Sequence, residues 1–238
     1  MARRLPRLSV GLHVVLVDGA HASPARDIPD LLGPDDRFRK DIALLGAGIF
    51  FRAELRRQAE REITEQFERF KATGLRLDHV DAHQHFHLHP SIASIIARVA
   101  ANFGARWLRV PDEPFAPGGE ADGGGLAHLA LRPFVANLRK QARRRALRSA
   151  DRVVGFRWSG AMTKSRVLAA LRDLPDGSTE IYSHPATEGG FAGGAPGYRY
   201  SEELQALTDT DAAAEIARLR AEGVTIGGFS DLEAERLR

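Results

Sequence analysis

Short strand-like runs alternate along this chain with stretches of helical periodicity, and that alternation limits its fold more than any other feature. The runs lie at residues 7–17, 75–82, 107–110, 152–156, 179–183 and 224–229. The first is nearly all apolar (Leu8, Val10, Leu12, Val14, Val15, Leu16), as a strand covered on both faces should be. Between the runs, residues 51–73 repeat apolar side chains at helical spacing (Leu55, Ala59, Ile63, Phe67, Phe70) and close on Gly74. Pro90 and Ser91 open a second helix through Ile92, Ile95, Ile96 and Val99, ended by Gly104. Further helices are predicted at 131–150, 165–174 and, with an interruption, 201–222. Residues 18–34 and the Gly-rich 188–200 read as loops. Strands that alternate with helices pair in parallel, so the expected class is α/β with a mostly parallel sheet, open or closed into a barrel.

A chain of 238 residues fits one large domain or two small ones. It has no cysteine, which leaves imidazoles and carboxylates as its strong metal ligands. The longest apolar run, 42–51, is too short to span a bilayer, and residues 1–6 do not read as a secretory leader, so a cytoplasmic protein is expected. Net charge is only +3, and the basic residues are concentrated. Residues 131–152 carry Arg132, Arg139, Lys140, Arg143, Arg144, Arg145, Arg148 and Arg152 against Asp151, beside a stripe of Leu131, Phe134, Val135, Leu138 and Ala142. Two readings stand: a solvated face of an amphipathic helix, or peripheral contact with an anionic membrane. Phe134 is the one aromatic residue of this segment and belongs to the apolar stripe rather than among the charges, so a nucleic-acid partner is not expected.

Five of the nine histidines fall in Asp78-His79-Val80-Asp81-Ala82-His83-Gln84-His85-Phe86-His87-Leu88-His89-Pro90, where a strand hands over to a helix. His83, His85, His87 and His89 are spaced by two, which extended backbone would place on one face. Five imidazoles cannot all bind one ion, so some must orient ligands or contact substrate. His13, inside the first strand, and His184, in Ile181-Tyr182-Ser183-His184-Pro185, also lie at or near strand carboxyl ends, where parallel-sheet enzymes place their chemistry. A lone His in an apolar strand is more often a hydrogen-bonded core residue; the convergence of three such segments favours a site.

Gly11-Leu12-His13-Val14-Val15-Leu16, the long His motif and Tyr182-Ser183-His184-Pro185 together resemble the YdjC-like carbohydrate deacetylases, over essentially the whole chain and most closely in the branch associated with hopanoid biosynthesis. The resemblance implies a (β/α) barrel-like fold and hydrolysis of an N-acetyl group from an amino sugar, here a glucosamine-bearing hopanoid. It implies a divalent metal, magnesium or zinc, held by an Asp and two His, the two His matching His13 and His83. On that basis His184 is the candidate acid or oxyanion support, Asp81 the candidate orienter of a ligand His, and His85 and His87 candidate lining of the substrate pocket.

One departure stands out. The family carries an Asp-Asp-Phe-Gly strand, supplying a ligand and the base, roughly fifty residues before the Gly-Leu-His strand; this sequence lacks it. With six strands read where a barrel needs eight, the expectation is a single deacetylase domain over 1–238, N-terminally incomplete by two βα units, with an irregular insert and basic helix at about 112–152. Unpaired strand edges would invite pairing with a second copy as a homodimer. The alternatives are a barrel relic that binds sugar or metal without catalysis, and a metal-dependent hydrolase of another bond, such as a phosphoester.

Overall fold

The computed structural model describes residues 2–5, 7–113, 117, 125–191 and 193–232. The chain divides into two compact units, Met1–Arg109 with Pro133–Ser149 and Gly228–Arg238, and Val110–Arg132 with Ala150–Gly227.

In the first unit, β1 (Val10–Val14), β2 (Leu77–Ala82) and β3 (Trp107–Leu108) pair in parallel, in that order. Parallel neighbours need crossovers. The β1–β2 crossover runs through a long loop, α1 (Ile42–Phe51) and α2 (Ala53–Ala72); α3 (Pro90–Asn102) links β2 to β3. Val14, Leu16, Ile63, Phe67, Val80, Ile92, Ile96 and Leu108 fill the core, joined by Leu138 of α4 (Gly125–Arg144).

A polar stripe on α2 makes the long loop tenable. Gln58, Glu62 and Gln66 are spaced by four and so share one helix face. Glu62, fully buried, accepts from the backbone N–H of Ala22 and Ser23 (2.8 Å each) and from Gln66 (2.8 Å). Gln58 accepts from Asp30 N–H (2.9 Å), and Gln66 bonds both the N–H (2.9 Å) and the carbonyl (2.6 Å) of Val15. A loop that passes over a core must have its peptide groups satisfied, and this face of α2 does it.

The second unit contains a parallel pair, β4 (Arg152–Val154) and β5 (Thr179–Ile181), with α5 (Lys164–Arg172), α6 (Tyr200–Thr208) and α7 (Thr210–Ala221). Val154, Trp158, Met162, Val167, Leu171, Ala206 and Leu219 form its core. After β4, Gly155 has φ +115°, and a Cβ there would stand 2.3 Å from the Tyr182 carbonyl oxygen, so only glycine fits. Buried Glu113 accepts from the N–H of Gly155 (2.8 Å) and Arg157 (2.7 Å). Burial pushes its carboxyl up, against those bonds.

The α/β class with parallel strands holds. Five strands, not six, occur among the described residues. Residues 224–229 form none: the Gly227-Gly228 pair turns the chain, with Gly228 N–H on Asp231 (2.8 Å) and Ser230 N–H on Asp78 (3.0 Å) in place of a ladder. Residues 42–51 form a helix that their uniform apolarity, without periodicity, did not signal; Asp41 caps it through Leu44 N–H (2.9 Å). The basic helix ends at Arg144 rather than 150, because Ala146 turns to φ +56° and Leu147 N–H closes on the Ala142 carbonyl (3.0 Å). Most of the expected insert at 112–125 lies outside the described residues. Among the described residues no helix is long and apolar enough to cross a membrane.

Glu62→Ala should cost about 3 kcal/mol in urea unfolding, since it strands two buried N–H groups, whereas Glu68→Ala on the exposed face should cost under about 0.5 kcal/mol. Equal effects would show that the loop is held by other bonds.

Candidate active site

The register of β1 against β2 sets His13 opposite Asp81. His13 Nδ1 lies 2.8 Å from Asp81 Oδ1. Arg109 directly follows β3 and extends its pairing, its N–H donating to the Val80 carbonyl (2.9 Å). From there the guanidinium ion-pairs with the other carboxylate oxygen, Oδ2 of Asp81. Three neighbouring strands thus each contribute one group at their carboxyl ends. Burial pushes the Asp81 carboxyl up, but the His13 hydrogen bond and the Arg109 charge outweigh it and hold it well below the usual carboxylate range. An ionised carboxylate only accepts, so Nδ1 of His13 is the donor in this contact, and in the neutral imidazole the lone pair therefore falls on Nε2. The His13 side chain is half exposed, whereas that of Asp81 is 8% exposed.

The His-rich segment is not extended, so the expectation of four histidines on one face is corrected. After β2 the chain folds into a 3₁₀ turn, His83–Leu88, in which Gln84 (φ +50°) and His85 (φ +51°) take the left-handed region. Neither is glycine, so the turn stores backbone strain of order 1–3 kcal/mol per residue, of the kind that clusters at functional sites. It is forced by geometry: the strand must reverse into α3, which starts at Pro90.

The turn sorts the histidines. The His83 ring stands edge-on to that of His13, centroids 5.7 Å apart. His85 and His87 lie 5.9 Å apart, the first half-buried and the second fully buried, within electrostatic reach of His13, Asp81 and Arg109. His87 Nε2 donates to the Arg109 carbonyl (3.1 Å). Burial lowers the His85 imidazole to about 3 and the His87 imidazole to about 4, so both are neutral at neutral pH. His79 turns elsewhere: Nδ1 meets Asp78 (3.0 Å), and the ring packs on Phe229 and above Gly11, where a Cβ would stand 2.5 Å from it. His89 packs against Phe50 and Phe86.

His184 belongs to the second unit. Two residues beyond Tyr182, its ring sits between Tyr182 (5.6 Å) and Tyr198 (5.0 Å). Its N–H donates to Glu203, which is fully buried and also accepts from Met162 N–H (2.8 Å). The Tyr198 hydroxyl pairs with Ser159 (2.8 Å).

The donor set suits a transition metal. His13 offers Nε2 in a fixed tautomer, and His83 is near enough for both imidazoles to share an ion at about 2.0–2.1 Å from each nitrogen. The carboxylate behind His13 is the usual outer partner of a ligating imidazole. Among the described residues no three His, Cys, Asp or Glu are disposed to hold an ion by themselves, so an ion shared by His13 and His83 would need further ligands from water, substrate or another segment. Arg109 escaped the sequence reading. Its one signal is a charged residue closing the short strand Trp107-Leu108.

A family model described as YdjC-like protein matches residues 1–218. A carbohydrate deacetylase of Geobacillus stearothermophilus is 29% identical over 98% of this chain and 80% of its own length. One of Mus musculus is 30% identical over 99% and 81%. Among solved structures, a cellobiose-phosphate cleavage protein of Enterococcus faecalis superposes with TM-score 0.68 at 18% identity, covering 97% of this chain and 80% of that one, a likeness of fold.

Because burial lowers the His87 imidazole, the unfolded chain binds more protons than the folded one between about pH 6.5 and 4. Stability should be full above that window and decline as pH falls through it, and His87→Gln should flatten the decline. Chemical denaturation at several pH values measures this; a flat wild-type profile would contradict it.

Proposed function

The chain belongs to the YdjC-like family, and from that premise we propose that it is a metal-dependent carbohydrate deacetylase, hydrolysing the N-acetyl group of an amino-sugar conjugate to acetate and a free amine. The observation that carries the reading is the His13–Asp81–Arg109 chain of contacts with His83 beside it, an imidazole pair oriented from behind by a buried carboxylate. His13 and His83 would hold the ion, and two imidazole donors favour zinc over magnesium. When bound, the cation supplies Lewis-acid activation of the acetyl carbonyl and of water. Asp81, held by two partners, orients His13. His85, half-buried, and His87, buried, are both neutral; they would line the pocket and exchange hydrogen bonds with substrate without carrying charge into it. The reaction adds water across the amide: the C–N bond breaks, acetate leaves, and the amine takes a proton.

The conjugate we propose is lipid-linked, a glucosamine-bearing hopanoid in the branch that the motif resembles. Support comes from α1, which buries Gly46 against His89 and Phe86 yet exposes Leu44, Phe50 and Phe51, an apolar patch next to the His-rich turn. The basic residues of α4 would favour an anionic surface nearby.

Purified protein with added zinc should release acetate from an N-acetylglucosamine conjugate. A chelator, His13→Ala or His83→Ala should each reduce the rate by 10²-fold or more, since each removes a contribution on which the activated water depends. Zinc binding with no acetate release from any conjugate would favour a non-catalytic relic, and phosphate release in its place a phosphoesterase.

A further inference from the structure

Arg109 touches the site at two points with two different groups. Its guanidinium pairs with Asp81 Oδ2, whose other oxygen faces His13 Nδ1 at 2.8 Å. Its main-chain carbonyl lies 3.1 Å from His87 Nε2. Both acceptors are unable to donate: one is an ionised carboxylate, the other a peptide oxygen. Each therefore dictates which nitrogen of its histidine keeps the proton, Nδ1 in His13 and Nε2 in His87. The opposite nitrogen, Nε2 in His13 and Nδ1 in His87, is left as a lone pair. His87 Nδ1 is buried, with no hydrogen-bond partner among the described residues.

We propose that Arg109 is the positioning residue of this site: through Asp81 it fixes the tautomer and orientation of His13, and through its own carbonyl it fixes those of His87. The geometry gives it little freedom to do otherwise. The residue is pinned by its N–H to the Val80 carbonyl (2.9 Å), beside the registered pairs His13↔Asp81 and Val80↔Leu108. Its side chain is 11% exposed and that of Asp81 8%, so water competes weakly for the ion pair. Without the guanidinium, Asp81 would have only His13, among the described residues, to hold its side-chain rotamer, and the carboxylate could turn away from the imidazole. His13 would then populate both tautomers, and the Nε2 lone pair would be offered only part of the time. Lysine is a poor substitute, because a single ammonium cannot match the fork that grips a carboxylate.

The two contacts separate a specific role from a merely structural one. Substituting the side chain removes the first contact and leaves the carbonyl in place. In metal-free protein, ¹⁵N–¹H correlation spectra of the imidazoles should show wild-type His13 as the Nδ1–H tautomer and His87 as Nε2–H. Arg109→Met should convert His13 to a mixture and leave His87 unchanged. Zinc affinity, measured by competition with a chromophoric chelator, should weaken 10- to 100-fold, the usual cost of losing an outer-shell partner. Arg109→Gln, which keeps length and one donor without the charge, should fall between the two and serves as the arbiter if Arg109→Met does not fold. Wild-type tautomers and zinc affinity in whichever variant folds would overturn the proposal, as would His13 and His87 changing together, which would mark a general loosening. The affinity readout rests on His13 being a ligand; if His13→Ala leaves zinc binding intact, that reading fails, while the tautomer readout still decides the role of Arg109.

Discussion

The contact between His13 and Asp81 is what the rest of the first unit is arranged around. It joins two parallel strands at their carboxyl ends, and it exists only at one register: a slip of one residue in either strand would turn that strand's member of the pair to the opposite face. That register is enforced from outside the pair. Gly11 leaves room for the His79 ring on one side of the sheet, and Gln66 ties the backbone of Val15 just beyond β1. Arg109 closes the arrangement from the third strand. Burying a carboxylate is costly unless it is paired and hydrogen-bonded, and here the imidazole and the guanidinium meet both needs.

Around that contact the sequence divides its histidines by task. His79 and His89 pack against aromatic rings, while His83, His85 and His87 turn toward His13 through a strained left-handed turn. Strain at Gln84 and His85 is tolerated because the flanking elements over-determine the path: β2 is paired on both edges, and α3 is anchored by fully buried Ile92 and Ile96. The imidazoles of His85 and His87 remain neutral, which suits groups that must offer lone pairs or polar contacts without carrying charge into the site.

Much of this was legible in the sequence. The parallel α/β class followed from alternation, and α2, α3, α5 and the broken pair α6–α7 followed from apolar periodicity. What escaped has physical reasons. The polar stripe Gln58-Glu62-Gln66 is spaced like a core face but is not apolar, so its role in holding a loop does not show as hydrophobic pattern. Residues 42–51 are apolar all round, and a helix with no polar face has no period to read. The spacing of His83, His85, His87 and His89 suggested one extended face, because backbone entering the left-handed region at non-glycine residues leaves no mark in composition. Arg109 lies distant in sequence from both partners it organises, and only strand order brings it to them.

The central claim is that His13 and His83 bind one metal ion. X-ray absorption at the zinc edge of the zinc-loaded protein tests it directly, because imidazole rings give a multiple-scattering signature that can be counted. The account predicts zinc–nitrogen distances of about 2.0–2.1 Å, with two imidazoles in the wild type and one in each of His13→Ala and His83→Ala. An unchanged imidazole count in both variants, or a zinc shell without imidazole in the wild type, would contradict it.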